Sequence, residues 1–241
     1  MRRAILVILF FCCLTVLPAT AFSTEPTQGE RALDAKQKAI VLIGAFTAQG
    51  NMVPLRAALA EGLDAGLTVN EIKEILVQLY AYAGFPRSLN AINVFMAVLY
   101  ERRDKGITDA VGKEPSPLPA DKSSLELGTE IQTRLVGAPV KGEIFDFAPA
   151  IDTFLKAHLF GDIFGRDNLD YESRELATIS ALASMQGVTA QLRSHFRVGM
   201  RVGLGADQLK SLVSVLKARV GQQEAANASA VLDGVLDDKG K

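Results

Sequence analysis

The feature that most constrains this chain is that it matches itself. Laid over its own second half at an offset of 136 residues, Leu33, Asp34, Ile43 and Ala45 fall on Leu169, Asp170, Ile179 and Ala181. One inserted residue near Val188 moves the offset to 137, after which Leu55, Arg56, Gly66, Leu67, Leu79, Gly84, Asn90, Ala91 and Val98 meet identical residues between Leu192 and Val235. A match sustained across helix, cap and turn positions exceeds what shared helical composition produces. The chain therefore reads as a tandem duplication of one unit.

That unit is helical. Ile40, Ile43, Ala45 and Phe46 recur at helical spacing before Gly50-Asn51, and a second helix over 52–65 ends at the C-cap glycine Gly66. Thr68 and Glu71 form a capping box, in which each side chain satisfies a free backbone N–H at the helix start. Gly84 stops that third helix, and Pro86 opens a fourth, where its missing N–H costs nothing. Residues 104–122 hold three prolines within five positions and no apolar period, and read as a linker. Helices are expected at about 123–136 and 147–164; a helix-start signal from Leu169 then opens one carrying Arg174 and Glu175, the next carries His195, and the last two run over about 206–220 and 223–237. The expected fold is all-α, with one unit over 30–103 and the other over 123–237. The absence of tryptophan leaves Leu, Val, Ile, Ala and Phe to build the core.

The N-terminus carries a different signal. Arg2 and Arg3 precede an apolar run from Ala4 to Leu17, and Ala19-Thr20-Ala21 fits a cleavage site, so residues 1–21 read as a secretory signal peptide. Export to the periplasm or beyond is the expectation, with no membrane association after cleavage. Both cysteines, Cys12 and Cys13, lie inside this segment. The mature chain then has no thiol nucleophile, disulfide or thiolate metal site. Its formal charge shifts from −1 to −3, and no basic patch suited to nucleic acid is present.

The two copies have diverged in complementary ways. The first keeps Tyr80-Ala-Tyr82-Ala-Gly84-Phe85-Pro86-Arg87-Ser88-Leu89-Asn90, where the second has Lys217 to Asn227. The second keeps Glu175 and His195, where the first has Ala39 and Ala58. One composite site drawing on both copies is the simplest expectation.

These residues resemble a known family. Tyr82-Ala-Gly84-Phe85-Pro86 with Asn90, and Leu169-Asp170, Arg174-Glu175-Leu176, His195 and Gly203, are similar to the carboxymuconolactone decarboxylase family, which includes the AhpD-like alkylhydroperoxidases. The resemblance covers about 30–103 and 145–237, and implies an all-helical fold that assembles into rings. Three tandem chains in place of six single units would give a homotrimer. The peroxidase branch uses a Cys-x-x-Cys pair before the histidine. Val188 and Gln191 occupy those positions here, which disfavours alkylhydroperoxidase chemistry. The decarboxylase branch implies reaction of a small carboxylated lactone, with no metal or organic cofactor.

Each candidate has two readings. His195 can move a proton near neutral pH or can shape a helix interface. Glu175 can orient His195 or can stabilise a helix N-terminus beside Arg174. His158 precedes a loop that could close over a pocket, or is an exposed polar position. Tyr82, Phe85 and Asn90 are candidate pocket residues, and Arg87 and Arg174 candidate anchors for a substrate carboxylate. No His-Glu-x-x-His pattern or carboxylate cluster accompanies the histidines, so no metal site is expected. The alternative to an enzyme is a non-catalytic helical assembly or ligand-binding protein.

Overall fold

A computed structural model describes residues 32–239, and among these residues it is all-helical with no β-strand. The signal-peptide reading falls outside them. In the first half, α1 spans Ala35–Gln49, α2 Met52–Asp64, α3 Val69–Ala83 and α4 Phe85–Asp104. The second half gives α8 Tyr171–Ala183, α9 Thr189–Val202, α10 Ala206–Arg219 and α11 Gln222–Lys239. Between them lie α5 Ser124–Val136, the short α6 Glu143–Phe147 and α7 Pro149–Phe154, and a π-helix over Leu155–Ile163, here π1.

The four helices of each half correspond in order, and the correspondence reaches single contacts. Asp34 caps α1 by accepting from the Gln37 N–H at 2.8 Å, and Asp170 caps α8 by accepting from the Ser173 N–H at 2.7 Å. A Cβ built on Gly62 would lie 3.0 Å from Leu67, 3.4 Å from Ile43 and 3.6 Å from Ala39. On Gly199 it would lie 3.1 Å from Leu204, 3.2 Å from Ile179 and 3.7 Å from Glu175. Each glycine lets the second helix of its half close onto the first, and Ala39 occupies the place that Glu175 holds in the other half.

The two halves share one core. Helices α1 and α8 are buried from Ala39 to Ala48 and from Arg174 to Ala183, so neither has a solvent face along that run. They pack against each other so closely that a Cβ on Gly44 would sit 2.6 Å from the Ala177 carbonyl oxygen. Apolar residues of α2 to α4 and α9 to α11 surround this pair in a single cluster. Removing all of that apolar surface from water is what drives the halves together.

A smaller cluster of Ile131, Leu135, Leu159, Phe160, Ile163 and Phe164 joins α5 to π1. Gly128 and Gly161 make this contact possible, because a Cβ on either would collide with the Lys156 carbonyl or the Ser124 carbonyl. The helix expected over about 147–164 runs from Pro149 as α7 and from Leu155 as π1, and a break at Ala148, with φ −130° and ψ 73°, separates it from the short α6. Pro149 causes the break: its ring excludes the helical conformation from the preceding residue, and it restarts the helix where no N–H is needed.

The proline-rich segment between the halves is pinned at several points. The first N–H groups of α3, on Val69 and Asn70, donate to the carbonyls of Ala110 and Val111, each at 2.9 Å. Arg102 forms a fork on Asp109, and Ser116 donates from its N–H to Asp167 at 2.8 Å. Residues 107–116 thus satisfy a helix start that would otherwise leave donors open.

Candidate functional site

The second turn of α8 carries Glu175, and the middle of α9 carries His195. Their side chains meet, with His195 Nδ1 2.8 Å from Glu175 Oε2. The carboxylate is 1% exposed and the imidazole 15%, so the acid is sealed while the ring keeps an edge toward solvent. A carboxylate accepts hydrogen bonds and cannot donate, so Nδ1 carries the proton in this pair and Nε2 is the chemically open nitrogen. Among the described residues, Nε2 takes no hydrogen bond.

The first half contributes Tyr82, from the last turn of α3. Its ring stands edge-on to His195, at a centroid distance of 5.4 Å and an interplanar angle of 77°. The Tyr82 hydroxyl and Glu175 Oε1 are both buried and, among the described residues, lack a hydrogen-bond partner. Burial first, and then the Glu175 charge, push the Tyr82 hydroxyl well above the usual tyrosine range, against weaker opposing effects of Thr178 and Arg174. The hydroxyl therefore stays protonated at any physiological pH. It is a hydrogen-bond donor in search of an acceptor.

The roof of this site is the α5–π1 unit. Tyr80, Tyr82, Val198 and Val202 pack against its apolar cluster, covering the side of α9 that runs on from His195. Phe85 stacks on Tyr80 at 4.3 Å, and Tyr80 in turn touches the His158 ring at 5.6 Å. An aromatic row thus leads from the α3–α4 corner to π1.

Other sequence candidates stand apart from the pair. His158 is half-exposed on π1 and bonds Asp162 at 2.9 Å, one turn along its own helix. Phe85, a candidate pocket residue, is 61% exposed. Arg87 is exposed and lies near Gly50 at the C-terminal end of α1, where helix carbonyls favour a cation. Asn90 is exposed on α4. Arg174 does not fit the role of substrate anchor: it is fully buried, and its guanidinium bonds Glu74 at 2.9 Å, Gln78 at 2.8 Å and the Arg166 carbonyl at 2.8 Å. A guanidinium so engaged has no free fork for a substrate.

That buried network is what the sequence reading missed. Gln78 also donates to Thr178 at 2.8 Å and to the Arg174 carbonyl at 3.0 Å, and Arg166 closes on Glu74 from outside at 2.9 Å. Glu74 and Gln78 are one turn apart on α3, as Arg174 and Thr178 are on α8. Two matched polar pairs on otherwise apolar faces were the available signal.

Fold and site together define a class: a helical protein with two corresponding four-helix halves and one buried carboxylate–imidazole pair, to which a tyrosine of the other half is added. The model of the carboxymuconolactone decarboxylase family matches twice, over residues 20–97 and 149–234, and the chain belongs to that family. It is similar to 4-carboxymuconolactone decarboxylase of Acinetobacter baylyi, with 25% identity over 124 residues that cover 50% of this chain and 92% of that protein. It is also similar to an uncharacterised 15.0 kDa protein of Paracoccus denitrificans from the nqo9–nqo10 intergenic region, at 32% identity over 81 residues. That match spans 33% of this chain and 60% of the relative.

Proposed function

We propose that the chain carries out acid–base chemistry without an organic cofactor, a decarboxylation or lactone isomerisation, on a small carboxylated compound. His195 exchanges the proton, Glu175 holds its tautomer, and Tyr82 donates a hydrogen bond to the substrate. The contact between Glu175 and His195 carries this reading, since a sealed acid that fixes Nδ1 leaves Nε2 directed to chemistry.

In a decarboxylation, the bond from the substrate carbon to its carboxylate breaks and carbon dioxide leaves. The electron pair stays on that carbon, delocalised into the adjacent lactone carbonyl, whose oxygen gains charge. The Tyr82 hydroxyl is suited to meet that charge. Imidazolium Nε2 then gives its proton to the carbon and recovers one from water. In an isomerisation, Nε2 takes a proton from one carbon and returns it to another, with no net change. The relative's name makes 4-carboxymuconolactone the first compound to test.

The purified mature chain should release carbon dioxide from 4-carboxymuconolactone, or shift its double bond, and His195→Ala should lose that activity. Equal turnover by the two proteins would remove His195 from the reaction. Thiol peroxidase chemistry is disfavoured because no cysteine follows Cys13. Residues 1–21 support export as part of the same proposal, which N-terminal sequencing of the protein recovered from the periplasm would test. A homotrimer is proposed as well. The exposed Ile144, Phe147, Ile151 and Phe154 support it, and light scattering tests it, a monomer ending the idea.

A further inference from the structure

The correspondence of the two halves implies a second location equivalent to the Tyr82–Glu175–His195 site. It would lie where α10 meets α1 and α2, as the first site lies where α3 meets α8 and α9. A groove of about 530 Å³ occupies that location, lined by residues that include Lys38, Ala39, Glu61, Ser211 and Arg219. By the same offsets these stand where Arg174, Glu175, Val198, Glu74 and Tyr82 stand in the other half.

Each exchange changes the chemistry in one direction. Ala39 and Ala58 remove the acid and the imidazole, so the groove has no counterpart of the Glu175–His195 pair. Ser211 replaces the acid that captures Arg174, and among the described residues Lys38 then has no carboxylate partner, so its charge faces the groove. Arg219 replaces the tyrosine and is held at the rim by Glu61, whose two carboxylate oxygens accept from its Nη2 at 2.9 and 3.0 Å. Glu61 balances Arg219 and leaves Lys38 uncompensated. Leu42, Val215 and Ala218 supply an apolar floor. The Ser211 hydroxyl accepts from the Leu33 N–H at 3.3 Å and keeps its own proton to donate.

We propose that this groove is a second, non-catalytic binding site for a small apolar carboxylate. The carboxylate lies between Lys38 and Ser211, and the hydrocarbon lies on the floor beside Ala39. The ligand class follows from the groove's own charge and shape, and it stands whether or not His195 catalyses a reaction.

The test is titration of the full-length mature protein with benzoate, read by calorimetry or ligand-observed NMR, with benzyl alcohol as the uncharged probe of the same shape. Benzoate should bind saturably, and His195→Ala should leave its affinity within about twofold. Lys38→Glu should weaken it by roughly tenfold or more, and benzyl alcohol should bind weaker than benzoate by a similar factor. Ser214→Trp, which fills the groove from its exposed rim, should also abolish binding and decides the matter if Lys38→Glu fails to fold. No saturable binding in the millimolar range, or binding lost in His195→Ala but kept in Lys38→Glu and Ser214→Trp, would overturn the proposal.

Discussion

Tyr82, from the first half of the chain, sets its ring edge-on to that of His195, from the second, with centroids 5.4 Å apart. Neither half alone holds this arrangement: the residue corresponding to Tyr82 is Arg219, and the residue corresponding to His195 is Ala58. The imidazole and the phenol come from different halves, joined by the shared α1–α8 core. Loss of either group should therefore leave the fold intact and affect the site.

The buried hydroxyl gives a pH-dependent signature. Burial and the Glu175 charge raise the folded pKa of Tyr82 above its unfolded value, so ionising it opposes the fold. The sign follows: a neutral Tyr82 is compatible with the native state throughout the ordinary tyrosine range, and stability falls as alkali forces the hydroxyl to ionise. In a phenolate absorbance titration, wild type and Tyr82→Phe should overlay until the protein unfolds, and only then should wild type show the extra absorbance. An extra phenolate in folded wild type near pH 10 would show the hydroxyl to be solvated.

Glu175→Gln tests tautomer control. A glutamine amide can donate to Nδ1, which places the single proton of neutral imidazole on Nε2 and reverses the roles of the two nitrogens. Turnover of a substrate should fall by roughly 100- to 10,000-fold, the range that a positioned acid or base contributes. The KM should move far less than kcat. A raised KM with kcat unchanged would instead mean that Glu175 supports ground-state binding.

The origin of these contacts marks the limit of what one dimension of sequence reveals. Helical spacing, the Thr68–Glu71 box, the Gly84–Pro86 corner and the repeat itself were legible because each is a local pattern. Glu175 and His195 were legible as the polar residues that differ between copies. Arg174 was misjudged because an arginine's partner is set by tertiary packing, and its acid lies 100 residues away on α3. The pinned segment over 107–116 looked like a linker because its hydrogen bonds go to the start of another helix. The π-helical turn at His158 likewise depends on how α5 and π1 approach through Gly128 and Gly161.

Asp167 makes the attachment of that segment pH-dependent. The Ser116 N–H and hydroxyl, with Lys113 nearby, lower its carboxyl from 3.8 to about 2. A depressed folded pKa contributes stability above the unfolded value, and that stability is lost as pH falls from 3.8 toward 2. Wild type should therefore melt higher than Asp167→Asn at neutral pH, with the gap closing across that acid window. The site is exposed, so the gap should be modest and shrink with salt. A gap that persists unchanged in acid would assign the effect to something other than the charge.

The buried cluster around Arg174 should dominate stability in a way that the Glu175–His195 pair does not. Arg174 and Glu74 are 0% and 1% exposed, and burial lowers the arginine's proton affinity while the Glu74 charge opposes that shift. Removing one partner strands the other charge in an apolar interior, which costs about 3–5 kcal/mol. Glu74→Ala should show that loss in urea unfolding, whereas Arg166→Ala, whose side chain is 36% exposed, should cost far less. A double variant, Glu74→Leu with Arg174→Met, removes both charges and should recover most of the loss, because apolar replacements of buried ion pairs are often neutral or stabilising. If the double variant is as unstable as Glu74→Ala, the network's hydrogen bonds to Gln78 and the Arg166 carbonyl, and not the charge balance, hold α3 against α8.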